Sequence, residues 1–349
     1  MWNNSTMQIQ ERGKAKLTLS VAMCTYNGAK YLQEQLDSII AQTRLPDELV
    51  VCDDSSTDAT LQILENFQEM APFPVRIYRN EINLGPTKNF EKAITLCNGD
   101  IIALSDQDDV WMPHKLEKLE KVLKEHPEAG YVFSNALVVD ANLHPLGYTM
   151  WDRVSFTARQ RRRFERDVRY QVEVLLKHNV VTGATMAFRA ELRDWILPIP
   201  DQWTHDAWIA LLASAAGARG IFIKEALVKY RQHCNQVIGG RKISFGEQVQ
   251  RALLTRGEAY SYEKIRFLQV LDRLISARKG NRNTLELIEA KVQHLRARQE
   301  LYEGTTLKRI KNVLQEVLAG RYHKFSNGWK SVVKDLLVAI NPKTFRRAT

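Results

Sequence analysis

The chain has 349 residues, of which 44% are hydrophobic and 26% are charged, a composition typical of a folded globular protein. Its net charge of +10 is uneven. Residues 241–349 carry 23 Lys and Arg against 10 Asp and Glu, whereas the preceding residues carry 27 against 30. No apolar run has the length of a membrane span, and the four cysteines form no CxxC pair. These features argue against an integral membrane protein, a disulfide-rich domain and a cysteine metal site. They favour reduced, buried thiols in a cytoplasmic protein without a secretory leader.

Strand and helix signals alternate over the first 140 residues. Strands are predicted at 17–24, 48–54, 75–80, 100–106 and 130–140, and helices at 31–42, 61–70, 90–97 and 113–125. This alternation predicts an α/β fold with a mostly parallel sheet and helices on both of its faces. The apolar run 207–218 predicts a buried core helix. The pattern from Ser244 onward is helical, and 307–318 and 329–340 each have an apolar face beside lysines.

Polar clusters follow three of the predicted strands. They are "TYN" (25–27), "DDSSTD" (53–58) and "SDQDD" (105–109). Because the carboxyl ends of parallel strands meet at one edge of a sheet, the three clusters are expected to converge there. The carboxylates of Asp106, Asp108 and Asp109 repel one another unless a cation lies among them. Mg²⁺ or Mn²⁺ takes one or two carboxylates and shares its other positions with substrate phosphates, so a metal site is predicted. The alternative is an acidic turn that caps the helix after Pro113.

Several segments carry a family resemblance. They are "CTYNGAKYLQEQLDSIIAQT", "ELVVCDDSSTDAT", "NLGPTKNFEKAI", "IIALSDQDDVWMPHKLEKL", "VVTGATMAFRAEL", "HDAWIALLA" and "YRQHCNQVIG". In this order, over residues 17–240, they resemble the nucleotide-sugar-binding half of family 2 glycosyltransferases of GT-A fold. The "SDQDDVW" and "YRQH" forms are especially similar to bacterial rhamnosyltransferase-like members, which build surface polysaccharides such as O-antigen.

The resemblance implies an inverting, metal-dependent glycosyltransferase. Its donor would be a nucleoside diphosphate sugar, with rhamnose from a deoxythymidine diphosphate donor as the candidate. Its acceptor would be a glycan or a lipid-diphosphate-linked sugar. Three regions are expected: a polar tail (1–16), a GT-A domain (17–240) and a basic helical region (241–349). The enzyme would be cytoplasmic, with the basic helices packing on the catalytic domain and their outer face meeting the inner leaflet of the membrane.

The resemblance also implies site residues. Nucleotide-sugar contacts are expected from Thr25, Tyr26, Asn27, Asp53, Asp54, Asn83, Gly85, Lys88, Asp106, Arg231 and His233. Asp106 and Asp108 would hold Mg²⁺ or Mn²⁺, and Asp206 in "HDAW" would be the general base. Trp111 is expected beneath the acidic loop, and residues 183–185 at the acceptor. His205 departs from the Glu that other members often have.

Each assignment has a structural alternative. Asn27 and Gly28 form a common turn sequence, Asp53, Asp54 and Asp206 are residue types that cap helices, Lys88 can be solvated, and His233 can be structural. Six arginines lie between 159 and 169 ("ARQRRRFERDVR"). They form either a solvated helix or a patch that faces an anionic acceptor.

Other functions fit the sequence less well. A metal-dependent phosphatase of the haloacid dehalogenase type expects the form DxDx(T/V), which "DQDDVW" does not match. A non-catalytic nucleotide-sugar-binding scaffold remains the other alternative. The first strand is not followed by GxGxxG, which disfavours a dinucleotide oxidoreductase. The basic C-terminal third lacks interleaved aromatic residues, so no binding of nucleic acid is expected.

Overall fold

The computed structural model describes residues 17–233 and 257–341. Within them, one sheet contains β1 (Leu19–Thr25), β2 (Glu48–Asp53), β3 (Val75–Arg79), β4 (Ile101–Ser105), β5 (Val110–Trp111), β6 (Ala129–Val139), β7 (Pro145–Thr149), β8 (Met186–Arg189) and β9 (Arg219–Arg231). The helices are α1 (Leu32–Ile40), α2 (Thr60–Met70), α3 (Pro86–Leu96), α4 (Lys115–Glu125), α5 (Met150–Arg153), α6 (Ala158–Arg166), α7 (Val168–Lys177), α8 (Arg193–Ile196), α9 (His205–Ala215), α10 (Gly257–Ser276), α11 (Arg282–Gln299), α12 (Thr306–Leu318), α13 (Arg321–Phe325) and α14 (Trp329–Ile340).

The strand order is β3-β2-β1-β4-β8-β6-β9-β5, with β7 paired to β6. The first four of these strands are mutually parallel. β8 lies antiparallel between β4 and β6, while β9 runs parallel to β6. Both β2 and β4 flank β1, so the chain order reverses there, and such a reversal opens a crevice at the carboxyl ends of the strands.

The central strands are apolar because helices cover both faces of the sheet. All seven residues of β1 and all five of β4 are buried. In α1, Leu32, Leu36 and Ile39 are buried, at the spacing of one helix face. The predicted start of α3 at Phe90 is wrong. The helix begins at Pro86, because a proline fits the first turn of a helix and Gly85 before it adopts φ +78°.

The sequence did not predict four of the strands: β5, β7, β8 and β9. β5 and β8 have only two and four residues, too few to show an alternating pattern. β9 has irregular burial because its pairing with β6 shifts register three times. Tertiary pairing, and not a local pattern, therefore defines the second half of the sheet.

The C-terminal helices share a hydrophobic core with the sheet. As predicted, every residue of α9 from Ala207 to Ala215 is buried. Trp208 of α9 belongs to one apolar cluster with Phe267 of α10 and Leu295 of α11. The predicted boundary near residue 240, and the helical expectation for 244–256, lie outside the described residues, so the division into domains stays a prediction. Cys24, Cys52 and Cys97 are free and buried, as expected, and Cys234 lies outside the described ranges.

Candidate active site

Three strand ends meet at one edge of the sheet. Thr25 of β1 pairs with Asp53 of β2, and Met23 of β1 pairs with Ser105 of β4. The segments that follow these strands therefore leave the sheet side by side. The predicted convergence of the three polar clusters is confirmed.

The first and third clusters are joined by Gln107. The backbone N–H of Tyr26 donates to Gln107 Oε1 at 2.8 Å, and Gln107 Nε2 donates to the carbonyl of Tyr26 at 3.0 Å. A Cβ on Gly28 would lie 2.1 Å from the same Oε1. A side chain at position 28 would therefore displace the amide of Gln107 from Tyr26. Gln107 lies within the acidic motif but was assigned no role from sequence.

The first and second clusters are joined by Asn27 and Asp53. Asn27 adopts φ +46°, its N–H donates to Ser56 Oγ at 2.9 Å, and its Oδ1 accepts from the N–H of Thr57 at 2.8 Å. The fully buried carboxylate of Asp53 accepts from Thr25 Oγ1 at 2.8 Å and from the N–H of Ser56 at 2.9 Å. Neither Asp53 nor Asp54 caps helix α2, so that alternative is wrong for both; the N–H of its first residue, Thr60, donates to Asp58 Oδ1 at 3.0 Å.

Asp54 organises the loop after β3. Its Oδ1 accepts from Asn80 Nδ2 at 2.7 Å and from the N–H of Leu84 at 2.8 Å, and its Oδ2 accepts from the N–H of Gly85 at 2.8 Å. Asn83 lies in this loop and is exposed. Protein donors therefore occupy the carboxylates of both Asp53 and Asp54. Their contacts with a base or a ribose stay predictions.

Lys88 connects α3 to the segment that precedes Asp206. Its Nζ donates to the carbonyl of Ile199 at 2.7 Å and lies 3.0 Å from Glu91 Oε2. The alternative of a free, solvated lysine is therefore wrong, and its contact with a donor stays a prediction.

Two carboxyl groups of the acidic loop after β4 have raised pKa values. Burial, followed by the nearby charges of Asp108 and Asp206, raises the pKa of Asp106 to about 7. Burial, followed by Asp108 and Asp106, also raises the pKa of Asp109. Asp206 is about 100 positions away in sequence, so its influence on Asp106 shows that the fold brings the predicted base to the predicted metal ligands.

Two buried basic residues face this acidic loop. Lys115 is fully buried, its Nζ donates to the carbonyl of Ala184 at 2.7 Å, and it lies 3.3 Å from the centroid of Trp111. Trp111 is buried beneath the loop, as predicted. The charge of Lys115 offsets part of the rise that burial and the neighbouring carboxylates cause in the pKa of Asp106 and of Asp109. Lys115 was not predicted as a site residue. Its position four residues before the buried Leu119 indicates that it lies on the buried face of α4.

Arg231 holds the acidic loop from the other side. Its N–H donates to Asp109 Oδ1 at 3.0 Å, its Nε donates to the carbonyl of Asp108 at 2.7 Å, and its Nη2 reaches Glu34. The guanidinium also lies 4.4 Å from the ring centroid of Tyr31. Arg231 therefore positions the loop, and a contact with a diphosphate stays a prediction. Glu34 is a further residue that the sequence analysis missed.

His233 and Asp108 are in direct contact. His233 Nε2 lies 2.8 Å from Asp108 Oδ2, and the imidazole packs against Tyr31 with 4.8 Å between ring centroids. The oxygen and nitrogen atoms of this pair, together with Asp106, are of the kinds that bind divalent cations. Within residues 17–233 and 257–341, no three His, Cys, Asp or Glu side chains are grouped closely enough to hold a metal ion alone.

Asp206 is held in place by backbone donors. The N–H of Gly183 donates to its Oδ2 at 3.1 Å, and the N–H of Ala207 donates to its Oδ1 at 2.7 Å. The N-cap of α9 is Thr204, so Asp206 lies in the first turn and is not the cap.

His205 supports this arrangement from beneath. Its ring stacks on Phe90 at 3.9 Å, and burial lowers its pKa. A Cβ on Gly183 would lie 2.5 Å from His205 Nε2. The glycine of "TGAT" is therefore required for the close approach between the base-bearing helix and the turn at 183–185.

The profile of Glycosyl transferase family 2 matches residues 20–195. Uncharacterized protein Rv1520 of Mycobacterium tuberculosis is 27% identical over 227 residues, which are 63% of this chain and 60% of that protein. The dTDP-rhamnosyl transferase RfbG of Shigella flexneri is 28% identical over 257 residues, 71% of this chain and 84% of that protein. The chain thus spans about three fifths of the length of its mycobacterial relatives.

Solved structures confirm the fold. S. aureus TarS in complex with UDP-GlcNAc superposes with a TM-score of 0.52 at 18% identity, covering 94% of this chain and 92% of that one. This likeness confirms the predicted α/β fold of GT-A type. None of the helices in the two described ranges combines the length and apolar composition that crossing a bilayer requires.

Proposed function

Because the chain belongs to glycosyl transferase family 2, we propose that it transfers a sugar from a nucleoside diphosphate donor to an acceptor hydroxyl group with inversion. The observation that carries this proposal is the convergence of Asp106, Asp108 and Asp206 at the carboxyl edge of the sheet. The carboxylate of Asp206 is held by backbone donors of Gly183 and Ala207, as a positioned general base requires.

Asp206 acts as the general base. Its carboxylate takes the proton of the acceptor hydroxyl as that oxygen forms its bond to the anomeric carbon. The bond between the anomeric carbon and the diphosphate oxygen breaks, and its electron pair leaves with the diphosphate. The two N–H donors from Gly183 and Ala207 fix the orientation of the carboxylate, so that it does not have to reorganise during the reaction.

The residues of the acidic loop fit a divalent cation. Asp106 and Asp108 would hold Mg²⁺ or Mn²⁺, with His233 beside Asp108. Asp109 Oδ2 is buried and has no hydrogen-bond partner among the described residues, and the raised pKa of Asp106 marks a cluster short of positive charge. When bound, the cation would supply positive charge that offsets the charge developing on the leaving diphosphate. A site with few protein ligands suits an ion that is shared with phosphates.

The donor and the pathway are inferred from the relatives. RfbG is described as a dTDP-rhamnosyl transferase, and RfbV of Salmonella typhimurium is described as an abequosyltransferase. These names favour dTDP-rhamnose as the first donor to test. They also favour a glycan or a lipid-diphosphate-linked acceptor in the synthesis of a cell-surface polysaccharide such as O-antigen.

The C-terminal helices have the composition of a membrane-binding surface. On α12 and α14, the exposed large apolar residues are Leu307, Leu314, Leu318, Trp329, Val333, Leu337 and Ile340. Their spacing places them on one stripe of each helix, and Lys308, Lys311 and Lys330 lie nearby in sequence. Exposed apolar stripes beside lysines are typical of helices that lie in the headgroup region of anionic membranes. This surface would keep the enzyme at the inner leaflet, close to a lipid-linked acceptor.

The transferase proposal is tested by nucleoside diphosphate release from a panel of nucleotide sugars, with membrane extract as the acceptor source. Release from one donor is expected with Mn²⁺ or Mg²⁺ and is expected to stop with EDTA. Asp206→Asn and Asp108→Ala should abolish release, since they remove the base and a metal ligand. Asp194→Asn is the matched control, because this carboxylate is exposed on α8. Full activity of Asp206→Asn would contradict the mechanism, and activity in EDTA would contradict the metal.

Membrane binding is tested separately by flotation with vesicles. The wild type should float with anionic vesicles and much less with zwitterionic ones. Joint Leu314→Ser and Leu318→Ser substitutions should reduce binding, since Leu318 is 88% exposed. Met70→Ser, which removes an apolar residue that is 70% exposed on α2, should leave it unchanged. Equal binding of the double variant and the wild type would exclude this surface.

A further inference from the structure

A cavity lies where the C-terminal helix α10 meets the sheet-bearing part of the chain. It has a volume of about 70 Å³, and its walls come from the end of α7, from the start of α9 and from α10. Its lining residues include Lys177, His178, Trp203, Glu263 and Arg266. Since one water needs roughly 15 Å³ on this scale, the cavity has room for a group as large as a carboxylate or a phosphate.

Two residues of the cavity wall carry buried hydrogen-bond donors that have no partner among the described residues. Trp203 is only 4% exposed, and its Nε1 has no acceptor among the residues that the structure describes. Arg266 Nε is likewise buried and unpaired within the described ranges. The guanidinium of Arg266 lies 4.0 Å from the ring centroid of Trp203, so the two donors belong to one wall. Buried donors without acceptors are costly, and they are expected where a ligand supplies the acceptor.

The charge around the cavity is positive. No carboxylate of residues 17–233 or 257–341 lies within salt-bridge distance of Lys177 or Arg266. The one acidic lining residue, Glu263, is paired with Lys291 at 2.9 Å. Burial and then the charges of Arg163 and Arg159 lower the pKa of Lys177, so the arginine-rich helix α6 adds to the same positive field. An anion would relieve this repulsion.

The cavity adjoins the proposed base. Ala207, which follows Asp206 directly, is part of its wall. The charge of Asp206 also acts on Arg266 of α10. The cavity therefore lies next to the first turn of α9, which carries Asp206.

From the unpartnered donors of Trp203 and Arg266 beside Asp206, we propose that the cavity binds an anionic group, a carboxylate or a phosphate, of the acceptor substrate. The inference rests on the transferase function proposed above and deepens it. The acceptor is an acidic glycan or a sugar phosphate, and α10 takes part in its recognition. Arg163 and Arg159 of α6 then add to the positive field around Lys177.

The probe for this site is inorganic phosphate, titrated by calorimetry onto the full-length chain with saturating dTDP and Mn²⁺. Glucuronate against neutral glucose provides the carboxylate arm. Phosphate is expected to bind, and Arg266→Gln is expected to weaken it about tenfold, the effect of one charge-assisted hydrogen bond. Lys177→Gln tests the same site from α7 should the first variant not fold, and Trp203→Phe removes the N–H while keeping the ring.

Lys264→Gln is the matched control. It removes one charge from the same helix, but its Nζ donates to Gln299 Oε1 and is not part of the cavity. Phosphate binding that is equal in Arg266→Gln, Lys177→Gln and Lys264→Gln, or absent from the wild type, would overturn the inference. Binding of dTDP to the wild type is measured first, in the same cell. If dTDP binds and phosphate does not, only the anion site fails. If phosphate binds at Arg266 and dTDP does not, only the donor proposal fails.

Discussion

Asp106→Asn is expected to stabilise the metal-free protein, and to do so more at high pH. Burial and the charges of Asp108 and Asp206 raise the pKa of Asp106 from 3.8 to about 7. The native state therefore keeps a proton on this carboxyl group between these pH values, whereas the unfolded chain has already lost it. Because the native state binds more protons, its stability falls as the pH rises from 3.8 to 7 and is constant above 7 with respect to this group.

The magnitude follows from the shift. Each pH unit in this window lowers the free energy of unfolding by about 1.4 kcal/mol. Two of the roughly three units lie between pH 5 and pH 7, which sets an upper limit of about 2.7 kcal/mol. Asp106 is partly exposed, and solvent screening lowers the expected effect to about 2 kcal/mol. An amide of the same shape carries no charge at any of these pH values, so it escapes this loss.

Urea unfolding in EDTA at pH 5 and pH 8.5 measures the effect. The difference in stability between Asp106→Asn and the wild type should be about 2 kcal/mol larger at pH 8.5. Asp194→Asn, on the exposed surface of α8, should show no such change between the two pH values. Addition of Mn²⁺ with a nucleoside diphosphate should narrow the gap, since it stabilises only the protein that keeps the carboxylate. If the difference in free energy of unfolding between Asp106→Asn and the wild type is the same at both pH values, the pKa of Asp106 is not raised in the native state.

Three further changes probe other contacts. Gly28→Ala would place a Cβ 2.1 Å from Gln107 Oε1 and displace that side chain from Tyr26. Calorimetry should show several-fold weaker nucleotide binding at nearly unchanged stability. An unchanged affinity would exclude a role in nucleotide binding for the contact between Gln107 and Tyr26. Arg231→Met should lower the free energy of unfolding in urea by about 3 kcal/mol, because the carbonyls of Asp108 and Ala141 lose the guanidinium donor. A loss below about 1 kcal/mol would contradict its positioning role. Arg298→Met removes a bidentate pair with buried Asp335 in the C-terminal helices; we expect a similar loss of stability with wild-type nucleotide affinity, and weaker nucleotide binding would contradict that separation.

Local sequence determined the first half of the sheet and the candidate site. Strands β1, β2 and β4 are mainly apolar and fully buried, the pattern of a strand covered on both faces, whereas the edge strand β3 contains two arginines and is mostly half-buried. Each is followed directly by polar residues, so the convergence of the clusters at one edge follows from parallel pairing alone. The order of the motifs, from "TYN" through "SDQDD" to "HDAW", was also sufficient to indicate the family.

The short strands, and the residues that link and position the polar clusters, became apparent only from the three-dimensional contacts. β8 and β5 are too short for a pattern, and their strand character arises from pairing with β4 and β9. Gln107, Lys115 and Glu34 acquire their roles from neighbours that are distant in sequence. The cavity beside Asp206 likewise requires α7, α9 and α10 at once. Local pattern reports which face of an element is buried, whereas hydrogen bonds and charges between elements depend on three-dimensional distances that the linear order does not contain.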